Sequence, residues 1–164
     1  MRAAPRAANT LYAGTRRQRG LAMVEFAISV PVLLLLLYVT VETSRFIVQY
    51  SILNDAVRDA ARYVAGAALQ GTTGLIVQGA PWTALVGQGQ NLAVFGNIAG
   101  TGTPILPSLS VNEITVTADL VNNNITVEAA YPYQGIFGAA MPDFFGGSIS
   151  TAWTLAISTT MRAL

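Results

Sequence analysis

The sequence contains no cysteine, no histidine and no lysine among its 164 residues, and only 10% of them are charged. Without cysteine there is no disulfide framework and no thiol nucleophile. Without histidine as well, a His/Cys metal site and a Ser-His-Asp triad are both excluded. Without lysine, the glycine repeats that start at Gly87 and Gly100 cannot be phosphate-binding loops of the Walker type, and they read as flexible loop. The few charges are unevenly placed. Residues 1–20 hold five arginines and no acid, whereas residues 63–164 hold Glu113, Asp119, Glu128 and Asp143 against the single base Arg162. A basic end before an apolar segment, followed by a mildly acidic remainder, is the pattern of a membrane-inserted chain and not of a nucleic-acid binder.

What the sequence does have is an apolar run of membrane length. Residues 21–41 contain one charge, Glu25, and residues 26–41 contain none. About 20 helical residues cross a hydrocarbon core. Leucine-rich residues 32–41 favour helix, and Pro31 removes one backbone donor, so a bend or a loosened turn is expected there. Arginines on the N-terminal side put residues 1–20 in the cytoplasm and the chain beyond the run outside. The run ends in Val39-Thr40-Val41-Glu42-Thr43, which lacks the small residues of a secretory cleavage site. A carboxylate near the start of such a run is costly and usually functional. From its spacing alone, Glu25 either reaches back to the headgroups or acts within a bundle of helices.

The helical pattern continues over residues 42–68. Phe46, Tyr50, Leu53, Val57, Ala60 and Val64 recur at alternating steps of 4 and 3, which makes one apolar stripe. Glycines at 66, 71 and 74 then provide the stop. Residues 21–65 would form a long stalk helix, about 65–70 Å at 1.5 Å per residue. Its amphipathic second half is expected to cover a face of the domain that follows.

Residues 69–164 form that head. It reads as loop-rich to residue 112, with a short helix around residues 81–86. Residues 113–120 and 125–133 then alternate around an Asn-rich turn, and residues 148–161 alternate again. Three antiparallel strands with one apolar face need a partner layer, and the amphipathic helix supplies it. The expected fold is α+β, a transmembrane and stalk helix followed by a small β-rich head.

The motif G-L-A-M-V-E-F at residues 20–26, an apolar run with an early proline, and E-x-x-R-F followed by L-x-x-A-x-R-x-A-A-R together resemble the TadE-like minor pseudopilins of the tight-adherence (Tad/Flp, type IVc) pilus system. The resemblance is close over residues 20–65 and looser over the β-rich end. It implies cleavage by a prepilin peptidase between Gly20 and Leu21, so that residues 1–20 are a cytoplasmic leader and Glu25 becomes the fifth residue of the mature chain. Phe26 stands where pilins of this branch carry an aromatic. The implied role of Glu25 is to pair with the free Leu21 amine of an adjacent subunit and set register, since a buried charge without a partner costs several kcal/mol. The implied partners are the peptidase, other pilin subunits joined through N-terminal helices, the Tad inner-membrane assembly platform, and membrane lipid before assembly. The implied location is the bacterial inner membrane and then the cell surface. An uncleaved, signal-anchored envelope protein with a ligand- or surface-binding head is the alternative.

No cofactor, metal or enzymatic activity is expected, because no nucleophile, base and oxyanion donor can be assembled. Asp119, Glu128 and Asp143 read as solvated surface charges and not as a calcium site. The sequon Asn124-Ile125-Thr126 falls at a hairpin. Tyr131, Tyr133, Phe137, Phe144, Phe145 and Trp153 make an aromatic-rich end, either packed inside or a sticky surface for adhesion and pilin contacts.

Overall fold

The computed structural model describes residues 10–71, 74–136, 138, 140–142, 147–150 and 152–164. It divides into two units, residues 1–43 and residues 44–164. Helix α1 (Thr10–Ala67) belongs to both. Helix α2 (Ala80–Phe95) and a short 3-10 turn (Val111–Glu113) follow, and then five strands: β1 (Ile114–Asp119), β2 (Asn124–Tyr133), β3 (Ala140–Pro142), β4 (Ser148–Ser150) and β5 (Trp153–Arg162). The chain is α+β, with a long N-terminal apolar helix ahead of a small antiparallel sheet.

The main sheet has the order β1-β2-β5, and both pairings are antiparallel. Alternation sets its two faces. Ile125, Val127, Ala129, Tyr131 and Tyr133 of β2 are buried, as are Leu155 and Ile157 of β5. Their neighbours point to the other face, where the Thr126 and Thr160 hydroxyls meet at 2.9 Å. The buried face packs in one core with Leu53, Val57, Ala60, Ala61 and Val64 of α1 and Leu85, Ala93 and Val94 of α2. The turn joining β1 to β2 is tied by Asp119. Its carboxylate accepts from the Val121 N–H (2.9 Å), the Asn122 N–H (3.3 Å) and the Asn122 side-chain amide (2.6 Å). These bonds, the Asn122 side chain first, hold the Asp119 carboxyl below its ordinary pKa. Asn123 takes the left-handed conformation that closes the turn.

Two elements differ from the sequence expectation. The short helix expected near residues 81–86 is a 16-residue helix that continues through Gly87 and Gly89, so the first glycine repeat is helical rather than flexible. Local propensity argues against that, since glycine in a helix costs about 1 kcal/mol relative to alanine. Packing decides otherwise. Gly89 is buried, and a Cβ built on it would lie 2.5 Å from Val64 Cγ2 of α1. The glycine lets the two helices approach closely, next to the small residues Ala60, Ala61 and Ala93. Pro81 at the first turn and the left-handed Gly96, whose N–H donates to Leu92 O at 2.9 Å, bound the helix. The second difference is that the run at 148–161 is divided. Residues 148–150 pair with β3 in a separate two-stranded ribbon, and the strand that joins β2 starts at Trp153.

The ends of the elements are stitched together by few bonds. Leu164 N–H donates to Ala65 O (3.0 Å) and Ala163 N–H to Asn123 O (2.8 Å). Gln90 Nε2 donates to Ile114 O, and the buried Tyr131 hydroxyl donates to Pro107 O, each at 2.8 Å. Burial raises the Tyr131 pKa above its ordinary value, with Arg45 opposing and Glu113 adding to the shift.

Replacing Gly89 with alanine tests the close approach. Helix propensity alone predicts a gain of about 1 kcal/mol, whereas overpacking against Val64 predicts a loss of about 1–3 kcal/mol. The expected outcome of urea unfolding in detergent is the loss, partly recovered when Val64→Ala is added.

Candidate functional site

The candidate site is the N-terminal part of α1, from Gly20 to the end of the apolar run. An 18-residue window there has a mean hydropathy of 2.3, and none of it is buried. Leu33, Leu34, Leu36 and Leu37 are each 61–63% exposed. Successive residues of a helix are about 100° apart, so these leucines cover every side of it. A helix that is apolar all round belongs either in a core or in a membrane, and within its own unit this one has no core. It is long and apolar enough to cross a bilayer. The polar groups near its end are satisfied internally. Thr40 Oγ1 donates to Leu36 O at 2.9 Å and Thr43 Oγ1 to Val39 O at 2.8 Å, as a helix leaving lipid requires. Pro31 lies inside the helix and lacks an N–H, which leaves the Ala27 carbonyl without its usual helical donor.

The processing and register candidates lie at the start of this run. Gly20 is exposed, and a Cβ on it would meet nothing within 4 Å, so packing in this chain gives no reason for glycine there. Leu21 is 71% and Phe26 70% exposed. Glu25 is also exposed and follows Leu21 by four residues, which sets the two on the same helical face, one turn apart.

Residues 20–62 match the family model of TadE-like proteins. The chain carries a TadE-like helix. The TadE-like segment begins at Gly20, takes in Glu25, Phe26 and Pro31, and ends within the part of α1 that lines the core of the head. The match points to the Tad pilus system. No curated protein and no solved structure matches the chain.

Farther along α1, the six stripe residues divide. Leu53, Val57, Ala60 and Val64 are fully buried, and Phe46 is half-buried with its ring against Tyr133 and Trp153. Tyr50 is 46% exposed, and Gln49 is the residue buried on that turn. The meeting of Phe46 with Trp153 carries no local sequence signal, since it joins the first turn of one unit's helix to a strand far along the chain.

Elsewhere the chemistry is sparse. Among the described residues no group of three or more His, Cys, Asp or Glu could hold a metal ion. Asp119 is occupied by its turn, Glu128 stands exposed with the Ser158 hydroxyl 3.4 Å away, and Asp143 lies outside the described residues, as do Phe137, Phe144 and Phe145. Asn124 opens β2 opposite Asp119. An open hollow of about 300 Å³ on the outer sheet face is lined by Glu113, Thr115, Glu128 and Ser158, among others. The Glu113 carboxylate there is already taken up by the Ser110 hydroxyl at 2.7 Å.

The double substitution Leu34→Arg with Leu37→Arg tests membrane residence. Each arginine costs about 2.5–3.5 kcal/mol at the centre of a span. The protein is expected to shift from the carbonate-resistant membrane fraction to the soluble or degraded one. Unchanged retention would reject the span.

Proposed function

We propose that this chain is a minor pilin or pseudopilin that a prepilin peptidase cuts between Gly20 and Leu21, and that it then enters, or primes, a thin adhesive Tad/Flp-type pilus. The observation that carries the reading is the TadE-like match beginning at Gly20, on a helix whose apolar surface is exposed all round. Before assembly, lipid covers that surface, with residues 1–20 in the cytoplasm and the head outside the inner membrane. Cleavage leaves a free ammonium on Leu21 at a helix N-terminus. In the fibre the same apolar surface meets the helices of other pilin subunits, delivered through the Tad inner-membrane platform, and the fibre carries the head to the cell surface.

Glu25 gives this exchange of environments its register. Lipid can tolerate the carboxylate near the headgroups, one turn from the helix start, where the positive end of the helix dipole favours it. Between packed helices it needs a partner, and the Leu21 ammonium of a neighbouring subunit is the cation at matching depth. A misplaced neighbour leaves an unpaired charge costing several kcal/mol, so the charge pair rejects wrong registers more than it strengthens the correct one. Phe26 lies beside the pair as part of the packing surface. Pro31 loosens one turn, which lets the helix adjust as it leaves the bilayer.

Intact mass and N-terminal sequencing of the protein recovered from cells test the reading directly. A chain starting at Leu21 is expected. A chain that still begins upstream of Gly20 would instead be a permanent signal anchor with a binding head. Glu25→Gln is expected to leave membrane insertion unchanged and to reduce recovery of the protein in sheared pili by tenfold or more, following the roughly 1.4 kcal/mol that corresponds to each factor of ten. Normal incorporation of that variant would remove the register role.

A further inference from the structure

The aromatic end of the head is the feature that the assembly reading leaves without a task. Phe46 stands edge-on to Tyr133 (ring centroids 5.4 Å, 70° between planes) and to Trp153 (5.9 Å, 78°). Tyr133 and Trp153 are themselves register partners, at the last position of β2 and the first of β5. Tyr133 is buried and Phe46 half-buried, so the cluster is held in place, but its outer member is not covered. Trp153 is 62% exposed, and next to Phe46 on the helix Ile47 and Val48 are 60% and 56% exposed. A tryptophan fixed by an edge contact while most of its surface faces outward is poorly explained by core packing.

Its position along the chain suggests what covers it. Phe46 lies only five positions beyond Val41, the last residue of the apolar run. Whatever the angle between the two units, that stretch spans at most about 17 Å when fully extended, and about 7.5 Å as helix. The headgroup layer is about 5–8 Å deep on each side of the hydrocarbon. Phe46 therefore emerges in or just beyond that layer. Trp and Tyr are enriched at this level, because they present an apolar body to the acyl boundary and a polar tip to the headgroups. β5 runs from Trp153 beside Phe46 to Arg162, and two residues beyond it the Leu164 N–H reaches Ala65 O near the far end of the helix. Within the head, the aromatic cluster and the β1–β2 turn thus lie at opposite ends of the sheet.

We infer that Phe46, Ile47, Val48 and Trp153, backed by the buried Tyr133, form a collar that seats the head in the headgroup layer while the chain is membrane-bound. The occupant of this surface is lipid, and the seat is vacated on assembly. The inference rests on the membrane-span reading but not on peptidase processing. The collar contributes apolar contact with the headgroup layer that extraction into a fibre must replace.

The test uses the full chain in phosphatidylethanolamine–phosphatidylglycerol vesicles carrying a spin label either on the headgroup or deep in the acyl chains. Trp82→Phe leaves Trp153 as the sole tryptophan, since the chain has two. Its emission is expected to be quenched more by the headgroup label than by the deep label, since Trp side chains favour the headgroup level. A reporter at the β1–β2 turn, Val121→Trp in a background lacking both native tryptophans, is expected to keep its emission. Trp153 unquenched in protein that floats with the vesicles would overturn the collar while leaving the span intact. Equal quenching of both reporters would also overturn it, since the head would then lie flat on the bilayer. Shielding of Trp153 that rises with protein density, independent of the label, would assign the surface to a second copy of the chain. Failure to float would remove the span and the collar together.

Discussion

One helix has to satisfy two solvents, and that constraint governs the rest of the chain. The first part of α1 presents leucine and valine on every side and is buried nowhere in its own unit. The later part presents a single face, Leu53, Val57, Ala60 and Val64, to a protein core. These demands call for different compositions, and the sequence changes character between residues 41 and 45, where Glu42 and Arg45 interrupt the apolar run. Neither part has the options of an isolated helix. The first needs lipid or other helices around it, and the second needs the sheet, because amphipathic helices take most of their stability from packing.

The fold of the head follows from the second demand. A three-stranded sheet with one apolar face is not independently stable in water and must be covered. α1 and α2 cover it together, and small residues let them do so. Ala60, Ala61, Gly89 and Ala93 bring the two helices close enough for Val64 to fill the space above Gly89. The outer face of the sheet carries Thr115, Thr117, Thr126, Glu128 and Ser158, polar side chains that need no partner layer. The arrangement places chemistry at the ends of the head rather than in a cleft. This agrees with a chain that works by packing and contact.

How much of this could be read from sequence depended on whether the deciding interaction was local. The apolar run and the alternation in β2 are local signals, and they led to the α+β class, the span and the strands. Gly20, Glu25 and Phe26 were singled out from a contiguous motif, and the TadE-like match spans them. The length of α2 was not visible, since Gly87 and Gly89 argue against helix until Val64 is placed opposite. The exchange of Tyr50 for Gln49 on the buried face was equally hidden. Both lie at the edge of the stripe, and only the position of the sheet decides which turns inward. The Phe46–Trp153 contact depends on the register of β5 against β2, which alternation by itself does not set.

The order of the strands has a consequence for the birth of the protein. β2 sits in the middle of the sheet, yet one of its neighbours, β5, is made well after it, on the far side of the 134–152 connection. While a ribosome is still adding that connection, the β1–β2 hairpin has one open edge and half of its core face, and Leu53, Val57 and Val64 lack the floor that Leu155 and Ile157 later provide. Long-range closures of this kind are slow and leave sticky surfaces exposed in the meantime. The core face of the nascent head therefore stays open until its last strand is made, and its maturation is paced by synthesis of that strand rather than by formation of its first helix.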